Sequence, residues 1–387
     1  MRFGLDGIPL QGKRTGVGHY TFELARSLAA VAPADDFEIV SPSSFSSIDA
    51  TDRSLPPNLH FVAAGVAGLR RRSWWSIGLP LYCRRASFAL FHGTNFEVPY
   101  WATCPTVLTI HDLSLLLYPE THEKRLVRRA QLKLPRTARR AGAIITPSET
   151  VKREVCEHLG VSEEKVFAIP EAARRAFYRV SPSESGPVCH RLGVEEEFIL
   201  FVGTVEPRKN LLTLARAFDR ILRTTSLRPQ LVIAGEKGWL SDDLMTYLDQ
   251  SRVRERVLFT GHLADDELRA LYSACRVFVY PSLYEGFGLP LLEAMICGAP
   301  VVTSNVPSII ETVGDVARLI SPTDVDDLAS AVVALLDDTN EREYRSGTGI
   351  DHAKKFSWER AAAATFAVYN TSYRIRQDSQ DYPVHRF

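Results

Sequence analysis

The stretch Arg276-Val277-Phe278-Val279-Tyr280-Pro281-Ser282-Leu283-Tyr284-Glu285-Gly286-Phe287-Gly288-Leu289-Pro290-Leu291-Leu292-Glu293-Ala294-Met295 changes character twice. Residues 276–280 form a short apolar run that reads as a buried strand, and residues 291–297 read as a helix. Pro290 suits a first helical position, because the N–H it lacks would have no partner there. The backbone N–H groups of Phe287, Gly288 and Leu289 are then expected at the positive end of a helix dipole, a place that binds phosphate or another anion. Glu285 stands just before this turn and Glu293 one turn into the helix. Taken singly, the first is an acid favoured by the dipole and the second a solvated helix residue. With the strand, glycines and proline around them, the pair points to a ligand with phosphate at its centre and hydroxyls at both ends, such as a nucleotide sugar.

The same strand-then-helix rhythm extends in both directions. Upstream of 180, strands are expected over 1–5, 37–40, 89–92, 106–110 and 143–146, with a helix over 16–30 after a glycine turn. Downstream, strands over 199–202, 231–234, 257–259, 277–280 and 301–303 alternate with helices. Such alternation implies right-handed βαβ units and a parallel sheet in each half. A chain of 387 residues exceeds what one core ordinarily supports, so two domains are the default. Ser181-Pro-Ser-Glu-Ser-Gly-Pro187, rich in breakers, reads as the linker. The expected division is residues 1–180, then 181–359, with a C-terminal helix over 360–387 returning to the first domain.

Composition narrows the class. Hydrophobic residues make up 45% of the chain, as in a soluble globular enzyme, and no apolar run approaches the ~20 residues of a membrane span. The start, Met-Arg-Phe-Gly-Leu-Asp-Gly-Ile, lacks the apolar core of a signal peptide. Six cysteines without CxxC spacing read as buried thiols in a reducing cytoplasm. The net charge of zero hides an asymmetry: residues 1–180 carry 24 Lys/Arg against 17 Asp/Glu, and residues 181–387 carry 22 against 29. Arg125, Arg128, Arg129, Arg136, Arg139 and Arg140 fall close to one helical stripe, with Leu126, Ala130 and Leu134 on another face. That stripe is either a solvated face or a surface for anionic lipid or a lipid diphosphate. Nucleic acid is disfavoured as a partner, since no basic-aromatic recognition module is present.

The motif Tyr280-Pro-Ser-Leu-Tyr-Glu285-Gly-Phe-Gly-Leu-Pro-Leu-Leu-Glu293, followed by Gly298-Ala-Pro-Val-Val302, resembles the signature of retaining glycosyltransferase family 4. Phe201-Val-Gly203-Thr204-Val-Glu-Pro-Arg208-Lys209-Asn210, Ala234-Gly-Glu-Lys-Gly-Trp239 and Phe259-Thr-Gly-His262-Leu263 resemble it too, as do Gly16-Val-Gly18 and His111-Asp112. The resemblance implies the GT-B fold: two Rossmann-like domains facing across a cleft, the first on the acceptor side and the second binding the nucleotide sugar. It also implies roles. Glu293 accepts hydrogen bonds from the ribose, Glu285 from the transferred sugar, and the backbone at Phe287, Gly288 and Leu289 holds sugar hydroxyls and phosphate. Gly203 and Thr204 lie on the ligand face. Arg208 and Lys209 offset the charge developing on the diphosphate, although the commonest family pattern places an arginine where Thr204 stands. His262 and Leu263 meet the base mainly through backbone. His111 contacts the donor sugar near the reacting carbon, and Gly16 and Gly18 let backbone approach phosphate or acceptor.

The expectation is therefore a cytoplasmic hexosyltransferase that works without a metal or other cofactor. Its donor is a GDP-linked mannose or D-rhamnose, and its acceptor a glycan or polyprenyl-diphosphate-linked glycan of surface polysaccharide such as O-antigen. The basic first domain would meet the inner face of the cell membrane. Asp324-Val-Asp326, which superficially resembles a metal-binding pair, is expected to cap a helix. The rival readings are a non-catalytic nucleotide-sugar-binding partner subunit and a nucleotide-sugar epimerase of the same architecture. Intact His111, Lys209, Glu285 and Glu293 favour activity.

Overall fold

Short apolar runs that bury both faces favour parallel sheets flanked by helices, and the computed structural model has two of them. It describes residues 1–45, 55–66 and 68–381; the last part of the expected C-terminal helix, residues 382–387, lies outside the described residues. One unit comprises Met1–Leu113, Arg129–Glu171 and Ser357–Phe387; the other comprises Ser114–Arg128 and Ala172–Phe356.

The first unit contains β1 (Arg2–Asp6), β2 (Asp36–Ser41), β3 (Leu59–Ala63), β4 (Leu90–Gly93), β5 (Thr106–Thr109), β6 (Ala143–Thr146) and β7 (Val166–Ala168). Their spatial order is β3-β2-β1-β4-β5-β6-β7, parallel throughout. The helix Trp358–Asp381 packs on this unit: Phe366 and Tyr369 lie 5.7 and 5.4 Å from the ring of Phe3. The Tyr369 hydroxyl is 2.6 Å from Nδ1 of the buried His92.

The second unit contains β8 (Phe198–Val202), β9 (Gln230–Ala234), β10 (Val257–Gly261), β11 (Val277–Tyr280), β12 (Val301–Ser304) and β13 (Arg318–Ile320), in the order β10-β9-β8-β11-β12-β13. Every residue of β8, β9, β11 and β12 is buried, and one apolar core runs through these strands and their helices. In each unit the strand order reverses beside the unit's first strand, between β1 and β4 and between β8 and β11. Ligands of doubly wound sheets bind at the carboxyl ends of the strands at such a reversal.

Two expectations change. Residues 181–187 are not a linker: the helix Pro182–Arg191 begins there. Ser181 is its N-cap, Pro182 its first residue, and the Glu184 carboxylate accepts from the Ser181 N–H at 3.1 Å. The breakers of this stretch are thus a helix-start signature. In the basic helix Lys124–Arg140, Val127, Leu134, Thr137 and Ala138 are buried, whereas Leu126 is 46% exposed and belongs to the outer face. Among the described residues, no helix is long and apolar enough to cross a membrane. None of the six cysteines is in a disulfide, and five of them are buried.

Candidate functional site

The turn Pro207–Lys209 follows β8, and its backbone is fixed from across the reversal. Asn210, in the left-handed region at φ +59°, donates through Nδ2 to the carbonyls of Pro281 (3.0 Å) and Pro322 (2.6 Å). Leu283 N–H donates to the Arg208 carbonyl at 2.9 Å. This fastening brings Arg208 and Lys209 onto Glu285, at the carboxyl end of β11. Lys209 Nζ lies 2.6 Å from Glu285 Oε1, and Arg208 Nη1 lies 2.9 Å from Oε2. The Tyr280 hydroxyl donates to Oε1 at 3.0 Å. Arg208 also donates to Glu206 (2.7 Å) and to the Tyr284 carbonyl (2.9 Å). Burial acts to raise the Glu285 pKa, but the adjacent Arg208 and Lys209 charges win and hold it at about 2. Lys209 is shifted down, by burial first and by Arg208 second, with Glu285 opposing. The carboxylate is thus fixed as an anion between two cations.

The turn after Glu285 is shaped by glycine. Gly288 caps the helix Leu289–Ile296 at φ +96°, a conformation that side chains disfavour. Ser308 Oγ donates to the Glu285 carbonyl, and Thr312 Oγ1 to the Phe287 carbonyl at 2.7 Å. No acceptor among the described residues pairs with the N–H groups of Phe287, Gly288 and Leu289, as at any helix start. Glu293, on this helix, is 3% exposed and is gripped by Arg174, whose Nε and Nη2 donate to its two carboxylate oxygens at 2.5 and 3.2 Å. Arg174 Nη1 continues to Asp265 Oδ1 at 2.6 Å. Burial raises the Glu293 pKa, with Arg174 opposing.

The neighbouring loops are placed by close backbone contact. A Cβ on Gly235 would lie 2.0 Å from the Gly203 carbonyl oxygen. Thr204 is exposed beside that contact, as is His262 after β10, while Leu263 is buried. Arg208, offset along the sequence from the usual arginine position, returns through the turn to the Glu285 carboxylate. Asp324 caps its helix, accepting from the N–H groups of Asp326 (2.9 Å) and Asp327 (3.0 Å). Among the described residues no group of three or more His, Cys, Asp or Glu side chains is placed to hold a metal ion.

In the first unit, His111 follows β5 with both ring nitrogens engaged. Nε2 is 2.8 Å from the Thr94 carbonyl and Nδ1 is 3.2 Å from Glu171 Oε1. A carbonyl only accepts, so Nε2 carries a proton. Burial pulls the ring pKa down, but the Glu171 carboxylate, the Thr94 carbonyl and Asp112 more than offset it and raise it. Nε2–H donates to the Thr94 carbonyl, and the upward shift favours a second proton on Nδ1, which faces the Glu171 carboxylate. The helix Gly16–Val31 begins with Gly16 exposed and Gly18 buried; a Cβ on Gly18 would come 2.8 Å from the Pro9 carbonyl oxygen. Gly18 therefore has a packing reason within its own unit.

Sequence reading missed Arg174 and Glu171. Each lies far along the chain from its partner, Glu293 or His111, and neither belongs to a local motif.

Residues 14–173 match the family model "Glycosyltransferase Family 4", and residues 189–351 match "Glycosyl transferases group 1". The chain is 33% identical to O-antigen chain mannosyltransferase B of Escherichia coli, over 93% of this chain and 97% of that one. Among solved structures it resembles a sucrose-phosphate synthase from Thermosynechococcus elongatus, with TM-score 0.77 and 20% identity over 97% of this chain and 100% of that one. It also resembles Anabaena Alr3699/HepE in complex with UDP and glucose, with TM-score 0.71 and 20% identity over 95% and 99%. The two parallel-sheet units are those of the GT-B fold, and the chain belongs to glycosyltransferase family 4.

Proposed function

We propose that this glycosyltransferase is a retaining, metal-independent enzyme that moves mannose or D-rhamnose from a GDP-sugar to a glycan or polyprenyl-diphosphate-linked glycan of O-antigen type. The observation that carries the nucleotide-sugar reading is the pair of buried carboxylates on either side of the Gly288 turn. Glu285 is held by Arg208 and Lys209 and Glu293 by Arg174, at the strand-order reversal of the second unit. The likeness to an O-antigen mannosyltransferase along nearly the whole chain supports the sugar and the pathway class, and HepE, crystallised with UDP and glucose, supports a nucleotide ligand. In the reaction the bond from C1 of the sugar to the diphosphate oxygen breaks and the diphosphate departs with the electron pair. The acceptor oxygen bonds to C1 from the same face, and its proton passes to the departing phosphate oxygen. Arg208, Lys209 and the N–H groups at Gly288 provide the positive field for the leaving charge.

Thermal stabilisation across a panel of nucleotide sugars identifies the donor, and NMR of the product linkage reports whether the anomeric configuration is kept. Glu293→Ala is expected to weaken binding of a nucleoside diphosphate by ~1.5–3 kcal/mol, and Glu285→Ala to lower turnover chiefly. Equal loss of diphosphate binding in both variants would show the two roles to be wrongly assigned. Transfer is expected to survive EDTA; activity lost to EDTA and restored by magnesium or manganese would refute metal independence.

A further inference from the structure

Glu293 is a carboxylate almost wholly removed from water, on the helix that follows the turn which the proposed function assigns to the nucleotide. The transfer of a charge from water into such a place is costly unless the charge is paired and hydrogen-bonded. Here the partner is Arg174, about nine-tenths buried, presenting Nε and Nη2 side-on to the two carboxylate oxygens. The third edge of the guanidinium is anchored on Asp265, at the start of the helix Asp265–Ala274. Its face lies 4.3 Å above the centroid of the Phe177 ring. A guanidinium does not give up its proton in proteins and its fork is planar, so the Glu293 carboxylate is fixed in plane and orientation. A carboxylate offers about four acceptor positions. Arg174 takes two, and of the other two one faces the Tyr272 hydroxyl.

We propose that Arg174 is the positioning residue of the nucleotide subsite: it acts through Glu293, presenting that carboxylate ionised and in one orientation to the ribose hydroxyls of the donor. This rests on the reading of Glu293 as the ribose acceptor. The groups facing Glu293 are Arg174 from the segment before the helix Pro182–Arg191, Asp265 and Tyr272 from the helix Asp265–Ala274, and Cys297 after its own helix. Tyr272 and Cys297 are both pushed upward by burial and stay neutral near pH 7. Asp265 is a second negative charge. Arg174 is thus the cation that opposes protonation of Glu293, with a smaller contribution from the Tyr272 hydroxyl; without Arg174, burial and Asp265 act against that hydroxyl alone in favour of the neutral acid.

The test is calorimetric titration with GDP and with UDP from pH 5.5 to 8.5, on wild type, Arg174→Met, Arg174→Lys, Glu293→Gln and Arg174→Met with Glu293→Gln. Arg174→Met is expected to weaken binding by about tenfold or more at pH 6 and to recover part of the loss as pH rises and Glu293 ionises. Arg174→Lys keeps the charge without the fork, so it is expected to weaken binding less and with a flatter pH profile. If Arg174→Met does not fold, the lysine variant and the glutamine single variant carry the comparison. Removing Arg174 should add little once Glu293 is already glutamine. An equal loss in both backgrounds would mean that Arg174 meets the ligand itself, and unchanged affinity in Arg174→Met and Arg174→Lys would likewise overturn the inference while leaving the nucleotide reading intact. Wild type that binds neither diphosphate would instead bring down the reading of Glu293, and this inference with it.

Discussion

Burial at Glu285 works against a charge, and the carboxylate is ionised because Arg208 and Lys209 reach it at 2.9 and 2.6 Å. Buried ion pairs seldom add net stability over an apolar replacement, but removing one partner strands the other. The Glu285 pKa lies at about 2 in the folded chain against an ordinary 4.5. A depressed carboxyl contributes stability that is fully present above its unfolded pKa and is lost as pH falls through the folded one. The contribution, on the order of 3 kcal/mol, is thus expected above about pH 4.5 and declines toward pH 2. Urea unfolding of wild type and Glu285→Gln between pH 7 and 3 measures it: the gap should be constant above pH 5 and narrow below 4.5. A gap that does not change with pH would assign the loss to packing alone. Glu285, Lys209 and Glu293 were legible in the sequence because one strand-turn-helix motif, and one turn after β8, hold them at fixed local spacing. Arg174 and Glu171 were not, since only the fold brings them to Glu293 and His111. The family resemblance implies a sugar-side role for His111, but the engagement of both its ring nitrogens depends on Thr94 and Glu171, which no spacing rule connects to it.

Among elements, the strands read from sequence are mostly those with both faces buried. Three were missed, β3, β7 and β13, and each is at an edge of its sheet; of the four edge strands only β10 was read. Their burial is mixed, so the apolar run that marks an inner strand is diluted by residues such as His60 and Arg318. Residues 181–187 failed as a linker for a related reason: serine, proline and glutamate punctuate chains, and they also start helices. Glycine separates these meanings by substitution. Gly235 lies at φ +152°, and a Cβ there would strike the Gly203 carbonyl oxygen; neither backbone can yield without disturbing the β8 and β9 ends. Gly235→Ala is expected to cost roughly 3 kcal/mol, or about 6–12 °C in melting temperature. Gly347 stands inside the helix Thr339–Ala353 with nothing within 4 Å of its Cβ position and no proline after it. Gly347→Ala should stabilise by up to ~1 kcal/mol. Calorimetric melting of both variants checks this, and a shift of the same sign in the two would contradict the assigned backbone states.

At the scale of the whole molecule, zero net charge conceals a basic first half and an acidic second half, and part of the basic excess lies on one helix. In Lys124–Arg140, Arg125, Arg128, Arg129, Arg136, Arg139 and Arg140 are exposed together with Leu126 and Leu132. Arg129 and Lys133 are partly committed to Glu97, at 2.8 and 3.7 Å. Arg140 stacks 5.4 Å from the centroid of Tyr100, whose neighbour Trp101 is 74% exposed. A basic face with an exposed tryptophan and leucine has the chemistry of a helix lying on an anionic bilayer, charges at the headgroups and apolar tips below them. Each cation near such a surface contributes roughly 1 kcal/mol, screened within about a Debye length. A polyprenyl-diphosphate acceptor would lie in that same surface. We therefore propose reversible binding to the inner face of the membrane, expected on anionic liposomes, absent on neutral ones, and lost at high salt. Arg128→Glu with Arg136→Glu should lower it by two cations' worth and add two repulsions, and Trp101→Ala should lower it without changing the salt dependence. Sedimentation with the two liposome types decides the matter. Equal binding to both, or to neither, would leave the helix as an ordinary solvated face and the acceptor to be met in solution.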